Sequence, residues 1–208
     1  MKKISVPVMP YELKEESFGT EFTDGNAAAL FFADETGERE LSGFRFDECR
    51  FRNITFHPEM DRCLFADCIF ERCDFSNCSF NETVFRRCQF KSCRMTGTDF
   101  SWSRFNDVSM TGCESSYANY SRAKFKVCAL EECRFTEASF NSCTFEDLRI
   151  SRCGFVSAEM METKLKGLDL SDSDISGIMT GLSELKGVTL NEQQALACAK
   201  MIGIIVRE

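Results

Sequence analysis

Residues 63–80 read CLFADCIFERCDFSNCSF, a run in which Phe recurs every five residues. The same step continues to Ile175, with a large apolar residue at 22 of 23 successive positions and Ser115 as the exception. A small residue, often Cys, stands two residues before most of these positions. Because an amphipathic helix repeats every 3.6 residues and a strand every two, a step of five fits neither.

The step of five predicts a four-sided coil with five residues on each side and 20 in each turn. One coil cannot bury its apolar residues alone, so neighbouring coils must stack. We expect stacked rings roughly 4.8 Å apart, the spacing of neighbouring strands, and a packing gap at Ser115 that a neighbour or water fills. Two columns at the 20-residue spacing are uniform: Phe65, Phe85, Phe105, Phe125 and Phe145, and Cys73, Cys93, Cys113, Cys133 and Cys153.

The run at 63–80 resembles the pentapeptide-repeat family, whose pattern is a small residue, any residue, Leu or Phe, and two polar residues. The resemblance implies an all-β fold, a right-handed quadrilateral parallel β-helix, to which we add a short C-terminal capping or dimerisation helix. We predict three parts: an N-terminal cap over residues 1–43, the solenoid over 44–190, and a C-terminal helix and strand over 191–208.

The repeat changes phase once, between Phe56 and Phe65, which are nine residues apart. Either one residue is missing from two repeats or four residues are inserted into one. If residues were missing, Pro58 would occupy the small inward position, where it lacks the N–H that a coil-to-coil ladder needs. We therefore favour a short loop made of His57, Pro58, Glu59 and Met60.

Twelve of the 13 cysteines lie in the small inward column, all except Cys198. A zinc or redox site is the alternative, but the chain has one His and the cysteines are five residues apart, unlike zinc ligands. Parallel side chains in a ladder are also too far apart for disulfides, so we expect free thiols and a reducing cytoplasm. No catalytic constellation, cofactor motif or membrane-length apolar run stands out. We therefore expect neither an enzyme nor a metal, cofactor or membrane protein.

The C-terminal sequence NEQQALACAKMIG at 191–203 predicts a helix with a capping box at Asn191 and Gln194 and an end at Gly203. An apolar segment follows. This order resembles the C-terminal dimerisation segment of the Qnr-type quinolone-resistance proteins. We expect a homodimer that buries Leu196, Ala199, Ile202, Ile204 and Val206.

For function we expect protein–protein interaction through the surface of a rod-like dimer, with the partner unspecified. The candidate surface is formed by Trp102, Tyr117 and Arg122, which take outward positions. The Qnr-type resemblance implies an alternative, a DNA mimic that binds DNA gyrase or topoisomerase IV and modulates fluoroquinolone sensitivity, without contacting nucleic acid itself. Mimicry requires acids aligned along one face, yet residues 61–176 carry 18 acids and 15 bases.

Overall fold

The computed structural model describes residues 2–18, 25–37, 40–56, 58–201 and 203–205, and they form a parallel β-solenoid with one C-terminal helix. The elements in chain order are β1 (Lys14–Glu15), β2 (Asn26–Ala28), β3 (Leu30–Ala33), β4 (Arg45–Asp47), β5 (Arg50–Arg52), β6 (Leu64–Ala66), β7 (Ile69–Glu71), β8 (Val84–Arg86), β9 (Gln89–Lys91), β10 (Arg104–Asn106), β11 (Ser109–Thr111), β12 (Lys124–Glu131), β13 (Thr144–Ser151) and α1 (Glu192–Met201). The predicted quadrilateral β-helix is confirmed.

Each coil has four sides, which we number by the column of inward residues at their centres. Side 1 is centred on the column of Phe65, side 2 on that of Phe70, side 3 on that of Phe75 and side 4 on that of Phe80. Strands form sides 1 and 2, whereas isolated parallel bridges join the coils on sides 3 and 4. From residue 58 onward the coils pair 20 residues apart, as the sequence columns require.

The aromatic core of side 1 is a stack of nearly parallel rings. Phe85 and Phe105 lie 5.1 Å apart with an angle of 9° between their planes, and Phe105 and Phe125 lie 4.7 Å apart at 10°. The stack ends at Phe145, which is half-buried and meets Phe125 edge-on at 63° and 5.6 Å. In the same coil Leu148, a larger side chain, takes a small-residue position.

Polar atoms in the small inward column are bonded to the backbone of the preceding coil. The Thr98 hydroxyl donates to the carbonyl of Phe75 at 2.7 Å, and the Ser103 hydroxyl donates to that of Phe80 at 2.6 Å. The thiols make the same contact at longer range, as from Cys93 to the Phe70 carbonyl at 3.5 Å. The column therefore requires small side chains, and those with a polar atom can donate to a nearby carbonyl.

The gap predicted at Ser115 is filled by a neighbour. Tyr120 takes the place of a Phe on side 4, and its hydroxyl lies 2.7 Å from the Ser115 hydroxyl in the closed core. Burial raises the pKa of Tyr120, so the phenol is neutral and serves as a hydrogen-bonding partner. The two departures from the repeat thus compensate one another.

The corners of the coil share a backbone conformation that the sequence repeat does not reveal. Every fifth residue from Arg62 to Gly167 has a positive φ, between 50° and 85°. After sides 3 and 4 the corner is a turn closed by an i to i+3 hydrogen bond, as from Cys78 N–H to the Phe75 carbonyl at 3.0 Å. A residue in the left-handed region redirects the chain at each corner.

The predicted loop at 57–60 is wrong for its described residues, because Pro58, Glu59 and Met60 lie on side 4 of a shortened coil. Met60 is fully buried as the central residue, and Glu59 bridges to Ser79. Phe56 stacks on Phe75 only 19 positions later, so one residue is missing from this coil. Pro58 is tolerated because the ladder uses its carbonyl, which accepts from Ser79 N–H at 2.5 Å. His57 lies outside the described residues.

The solenoid begins well before the predicted boundary at residue 44. β2 and β3 already pair with β4 and β5 in register, 19 residues apart. Phe18 then closes the open end of the core, with its ring 5.3 Å from that of Phe32 and 5.2 Å from that of Phe56. Within the predicted cap, residues 14–18 take a capping position, while residues 2–10 lie elsewhere, along the outside of the coils.

α1 is fixed to the last coil by its N-terminal residues. Asn191 and Gln194 form the reciprocal capping box, with Gln194 N–H donating to Asn191 Oδ1 at 3.0 Å and Asn191 N–H donating to Gln194 Oε1 at 2.9 Å. The Gln194 amide also donates to the carbonyls of Leu170 and Ser173 at 2.9 and 2.7 Å. Gly203, with a φ of 80°, ends the helix as predicted. Across the described ranges no helix has the length and apolarity needed to cross a membrane.

Candidate partner-binding surface

Side 4 is the flat side of the solenoid. Between residues 79 and 141 its outward positions hold only Ser, Asn and Asp, which are short side chains, whereas the other sides carry long Lys, Arg and Glu. This column could not be recognised from the repeat alone, because its composition stands out only once the four sides are assigned. The eight positions are Ser79, Asn81, Asp99, Ser101, Asn119, Ser121, Ser139 and Asn141.

The side chains of this flat side are held by hydrogen bonds along the solenoid axis. Asn119 donates its amide to Asp99 Oδ1 at 3.0 Å, and Asn119 Oδ1 in turn accepts from the backbone N–H of Ser121 at 3.0 Å. The Asn81 amide donates to the Ser101 hydroxyl at 2.8 Å. Because these groups are already ordered, a partner that docks here loses little side-chain entropy on their account.

The predicted surface residues lie at the two edges of side 4. Trp102 is at the corner with side 1 and is 53% exposed, and Tyr117 is at the corner with side 3 and is 58% exposed. The Arg122 guanidinium lies 4.7 Å from the centre of the Trp102 ring, one coil further along the same corner. The structure therefore brings all three residues around one polar surface, in a cation–π pair and a second aromatic anchor.

Both signs of charge occur on the other three sides. On side 3 the column alternates, with Arg94 near Asp74 at 3.6 Å and Arg134 near Glu114 at the same distance. On side 2 Glu71 lies between Arg50 and Lys91. Basic residues predominate at the centre of side 1: Arg86, Arg104, Lys124 and Lys126. No continuous acidic face is found on the described residues, which counts against electrostatic DNA mimicry.

The C-terminal end exposes apolar groups. A groove of about 830 Å³ separates α1 from the last coil and is lined by Ile175, Ile178, Met179, Ala197 and Met201, among others. Leu196 and Ile204 of the predicted dimerisation set are 39% and 52% exposed, and Ala199 is half-buried. Ile202 and Val206 lie outside the described residues.

The cysteines are placed for packing. Twelve are buried and Cys198 is half-buried, and all are free thiols. Burial raises the pKa of Cys128 and of Cys143 to about 12, which disfavours the thiolate that a nucleophile or metal ligand needs. No group of three or more His, Cys, Asp or Glu suited to a metal ion occurs among the described residues.

Comparison with known families agrees with the five-residue columns. Residues 63–132 match the sequence model described as "Pentapeptide repeat region". The chain contains a pentapeptide-repeat region. Its repeat continues in the structure on both sides of the matched residues, from β2 to the last coil before α1. No curated protein sequence matches the chain.

One solved structure, that of QnrB1, shares the fold. A trypsin-treated form of QnrB1, described as a plasmid-mediated fluoroquinolone resistance protein, is 22% identical, covers 95% of this chain and 100% of its own, and gives a TM-score of 0.52. HetL from the cyanobacterium Nostoc sp. strain PCC 7120, involved in heterocyst differentiation regulation, is 14% identical, with 80% and 90% coverage and a TM-score of 0.36. At these identities the likeness concerns the fold alone.

Proposed function

We propose that this pentapeptide-repeat protein is a non-catalytic binding protein that docks a partner protein on side 4, anchored by Trp102 and Tyr117. The observation that carries the proposal is the position of these two rings. From Arg62 to Gly167, all within the described residues, they are the only aromatic residues at corners. Left-handed backbone costs a non-Gly residue of order 1–3 kcal/mol, and an exposed ring recovers little of that by burial. Aromatic side chains on such a surface are the usual anchors of interfaces.

The flat, ordered surface between the two rings supports the same proposal. It offers hydrogen-bonding groups without long mobile side chains, so that a partner can approach the backbone of several coils at once. The non-catalytic role is supported by the burial of twelve of the thiols in the core, where burial raises the pKa of Cys128 and of Cys143. Free buried thiols also suit a reducing compartment, and we place the protein in the cytoplasm on that ground.

The test uses the protein's single Trp. Proteins captured by the immobilised wild type are compared with those captured by a Trp102→Ala/Tyr117→Ala double variant. The matched control is Glu82→Ala/Glu137→Ala, which changes the same two corners one coil away. A protein retained by wild type and control and lost by the double variant supports the proposal, and its binding should also shift Trp102 fluorescence. An unchanged set of captured proteins would overturn it.

We also propose a homodimer through the C-terminal end. The support is the apolar groove beside α1 and the exposed Leu196, Met201 and Ile204 around it. Analytical ultracentrifugation of Leu196→Glu should show monomer where the wild type shows dimer. Ala195→Glu adds the same charge one residue earlier, on the flank of α1, and should leave the dimer. A wild type that stays monomeric at high concentration removes the proposal.

A type II topoisomerase is the second candidate partner. It rests on the Qnr-type resemblance of the C-terminal segment and on the solenoid fold shared with QnrB1, and the mixed charge of sides 1 to 3 argues against it. DNA gyrase supercoiling should be titrated with the protein at low and moderate salt, with and without a fluoroquinolone. Inhibition that weakens with salt, or rescue from the drug, favours this candidate. No effect from a folded protein excludes it.

A further inference from the structure

The N-terminal arm, residues 2–10, lies along one corner of the solenoid instead of over its end. The corner between sides 1 and 2, which we call the arm corner, is made by Asp67, Arg87, Asp107, Val127 and Asp147. The arm runs antiparallel to the direction in which the coils stack, and it spans all five of these coils. Its contacts are Lys2 Nζ to Asp147 Oδ2 at 3.6 Å, Ser5 N–H to Asp107 Oδ1 at 2.9 Å, and Val8 N–H to Asp67 Oδ1 at 2.9 Å.

The arm contacts the corner at every third residue. Its polar contacts come from residues 2, 5 and 8, each meeting a carboxylate two coils from the last. Burial follows the same period, because Ile4, Pro7 and Pro10 are half-buried while Val6 and Val8 are exposed; Met9 is the one further half-buried residue. A β-strand would alternate with a period of two. A period of three is that of the polyproline II conformation.

The rise of a polyproline II segment matches the rise of the solenoid coils. A polyproline II segment rises about 3.1 Å per residue, or about 9.3 Å for each three residues. Two coils of the solenoid rise about 9.6 Å at the usual spacing of neighbouring strands. An extended segment can therefore repeat its contacts along this corner over several coils without losing register.

The corner itself is adapted to an occupant. Val127 is a β-branched residue at a φ of 55°, an unusual conformation for its type. It is only 6% exposed, whereas the other corners from Arg62 to Gly167, apart from Asp67, are half-buried or exposed. Asp67 and the neighbouring Ala66 are also buried, although they take outward positions. Val127 lies on the coil between those of Asp107 and Asp147, both of which the arm contacts, and we attribute its burial to the arm.

We propose that the arm corner is a peptide-binding groove that reads every third residue of a polyproline II segment, and that the arm is its resident occupant. The carboxylates of Asp67 and Asp107 accept backbone N–H groups, and those of Glu146 and Asp147 take a cation at the N-terminal side. The partner it fits is an extended, proline-containing segment of another protein with a Lys or Arg followed by free N–H groups three and six residues later. Such a segment displaces the arm. This groove is separate from side 4.

The test releases the arm from the groove by substitutions in the full-length chain. Ser5→Pro/Val8→Pro removes both backbone donors and releases the arm. The probe is a labelled peptide of residues 2–10, and binding is followed by fluorescence anisotropy. We expect the peptide to bind the released variant at least ~10-fold more tightly than the wild type, in which the tethered arm competes at millimolar effective concentration. The same peptide with both prolines should bind at least ~10-fold more weakly, because hydrogen bonds to charged acceptors are lost.

Two further results decide the proposal. Asp107→Ala in the released variant should weaken binding of the peptide by a similar factor. Arg149→Ala, on side 2 beside the corner, should leave binding unchanged. Trp102 fluorescence and thermal unfolding show whether the released variant is folded. If it is folded and binds both peptides equally, or binds neither, the proposal is overturned. If that variant does not fold, amide exchange in the wild type decides. The N–H groups of Ser5 and Val8 must exchange more slowly than that of Val6, and excess peptide must abolish the difference.

Discussion

Replacement of Phe105 by Ala tests the stacked core at its centre. The side chain is fully buried, and its ring lies parallel to those of Phe85 at 5.1 Å and Phe125 at 4.7 Å. Two further rings, Phe100 and Tyr120, meet it at steep angles within 6.1 Å. Ala would leave a cavity that coils on both sides cannot close, since each is fixed in register by its ladder.

The expected cost follows from these contacts. Truncation of a buried Phe costs about 3–5 kcal/mol of the free energy of unfolding. Each aromatic pair adds about 0.5–1.5 kcal/mol beyond area burial, so we expect the upper part of that range for Phe105. Phe145 is the matched control in the same column. It is half-buried, and among the described rings it meets Phe125 and Phe140 edge-on, not in parallel, so Phe145→Ala should cost about 1–2 kcal/mol less.

Urea denaturation followed by circular dichroism gives both values. The midpoint should fall with little change in the slope of the transition, because the surface exposed on unfolding is nearly the same. Equal losses for the two variants would show that parallel stacking contributes nothing. A loss below about 1 kcal/mol at Phe105 would show that this column does not form the core.

Three further outcomes follow from single side chains. Burial, the largest influence, raises the pKa of Asp67, but hydrogen bonds from Arg87 and Val8 outweigh it and the net pKa lies below 3.8. Its stabilisation is present above that value and is lost as pH falls through the folded pKa, so melting temperature should drop more steeply on acidification in the wild type than in Asp67→Asn. In thiol titration of the native protein Cys198 should react first and the 12 buried thiols only on unfolding, and Cys198→Ser should remove the first phase. Gln194→Ala, which loses the capping box and both bonds to the last coil, should cost about 2–3 kcal/mol locally. Limited proteolysis within α1 should then be at least roughly tenfold faster, and an unchanged rate would show that these bonds do not hold the helix.

The sequence predicts the parts of this fold that repeat in register. The five-residue step assigns Phe105 to the core, and the departure at Ser115 is recognisable because the step is otherwise regular. The capping box at Asn191 and Gln194 is a local pattern with a local mechanism, and it also appears as expected. In each case the residues that decide the structure are close in sequence or lie at a fixed spacing.

The features that were missed depend on contacts between distant residues. A nine-residue interval from Phe56 to Phe65 is the same for a deletion and an insertion, and only the pairing of Glu59 with Ser79 distinguishes them. The objection to Pro58 assumed that its N–H was needed, whereas the ladder takes its carbonyl. The position of the N-terminal arm depends on carboxylates about 60 to 145 residues away, and no local pattern encodes that distance.

The constraints on the repeat also explain why its sequence reveals the fold more readily than the partner. In each five-residue side two residues face the core and one must adopt positive φ at the corner. The fold does not constrain the residue type at the two remaining outward positions. Polar residues are expected at outward positions of any solvated surface, so they say little about the partner. A departure at a constrained position is more informative, because it is retained against a structural cost. Trp102, Tyr117 and Val127 are such departures, since each places a bulky side chain where the backbone disfavours it. We attribute the burial of Val127 to the arm. Trp102 and Tyr117 stay exposed in the single chain, although Arg122 lies against the Trp102 ring, and they are therefore where a partner should be sought.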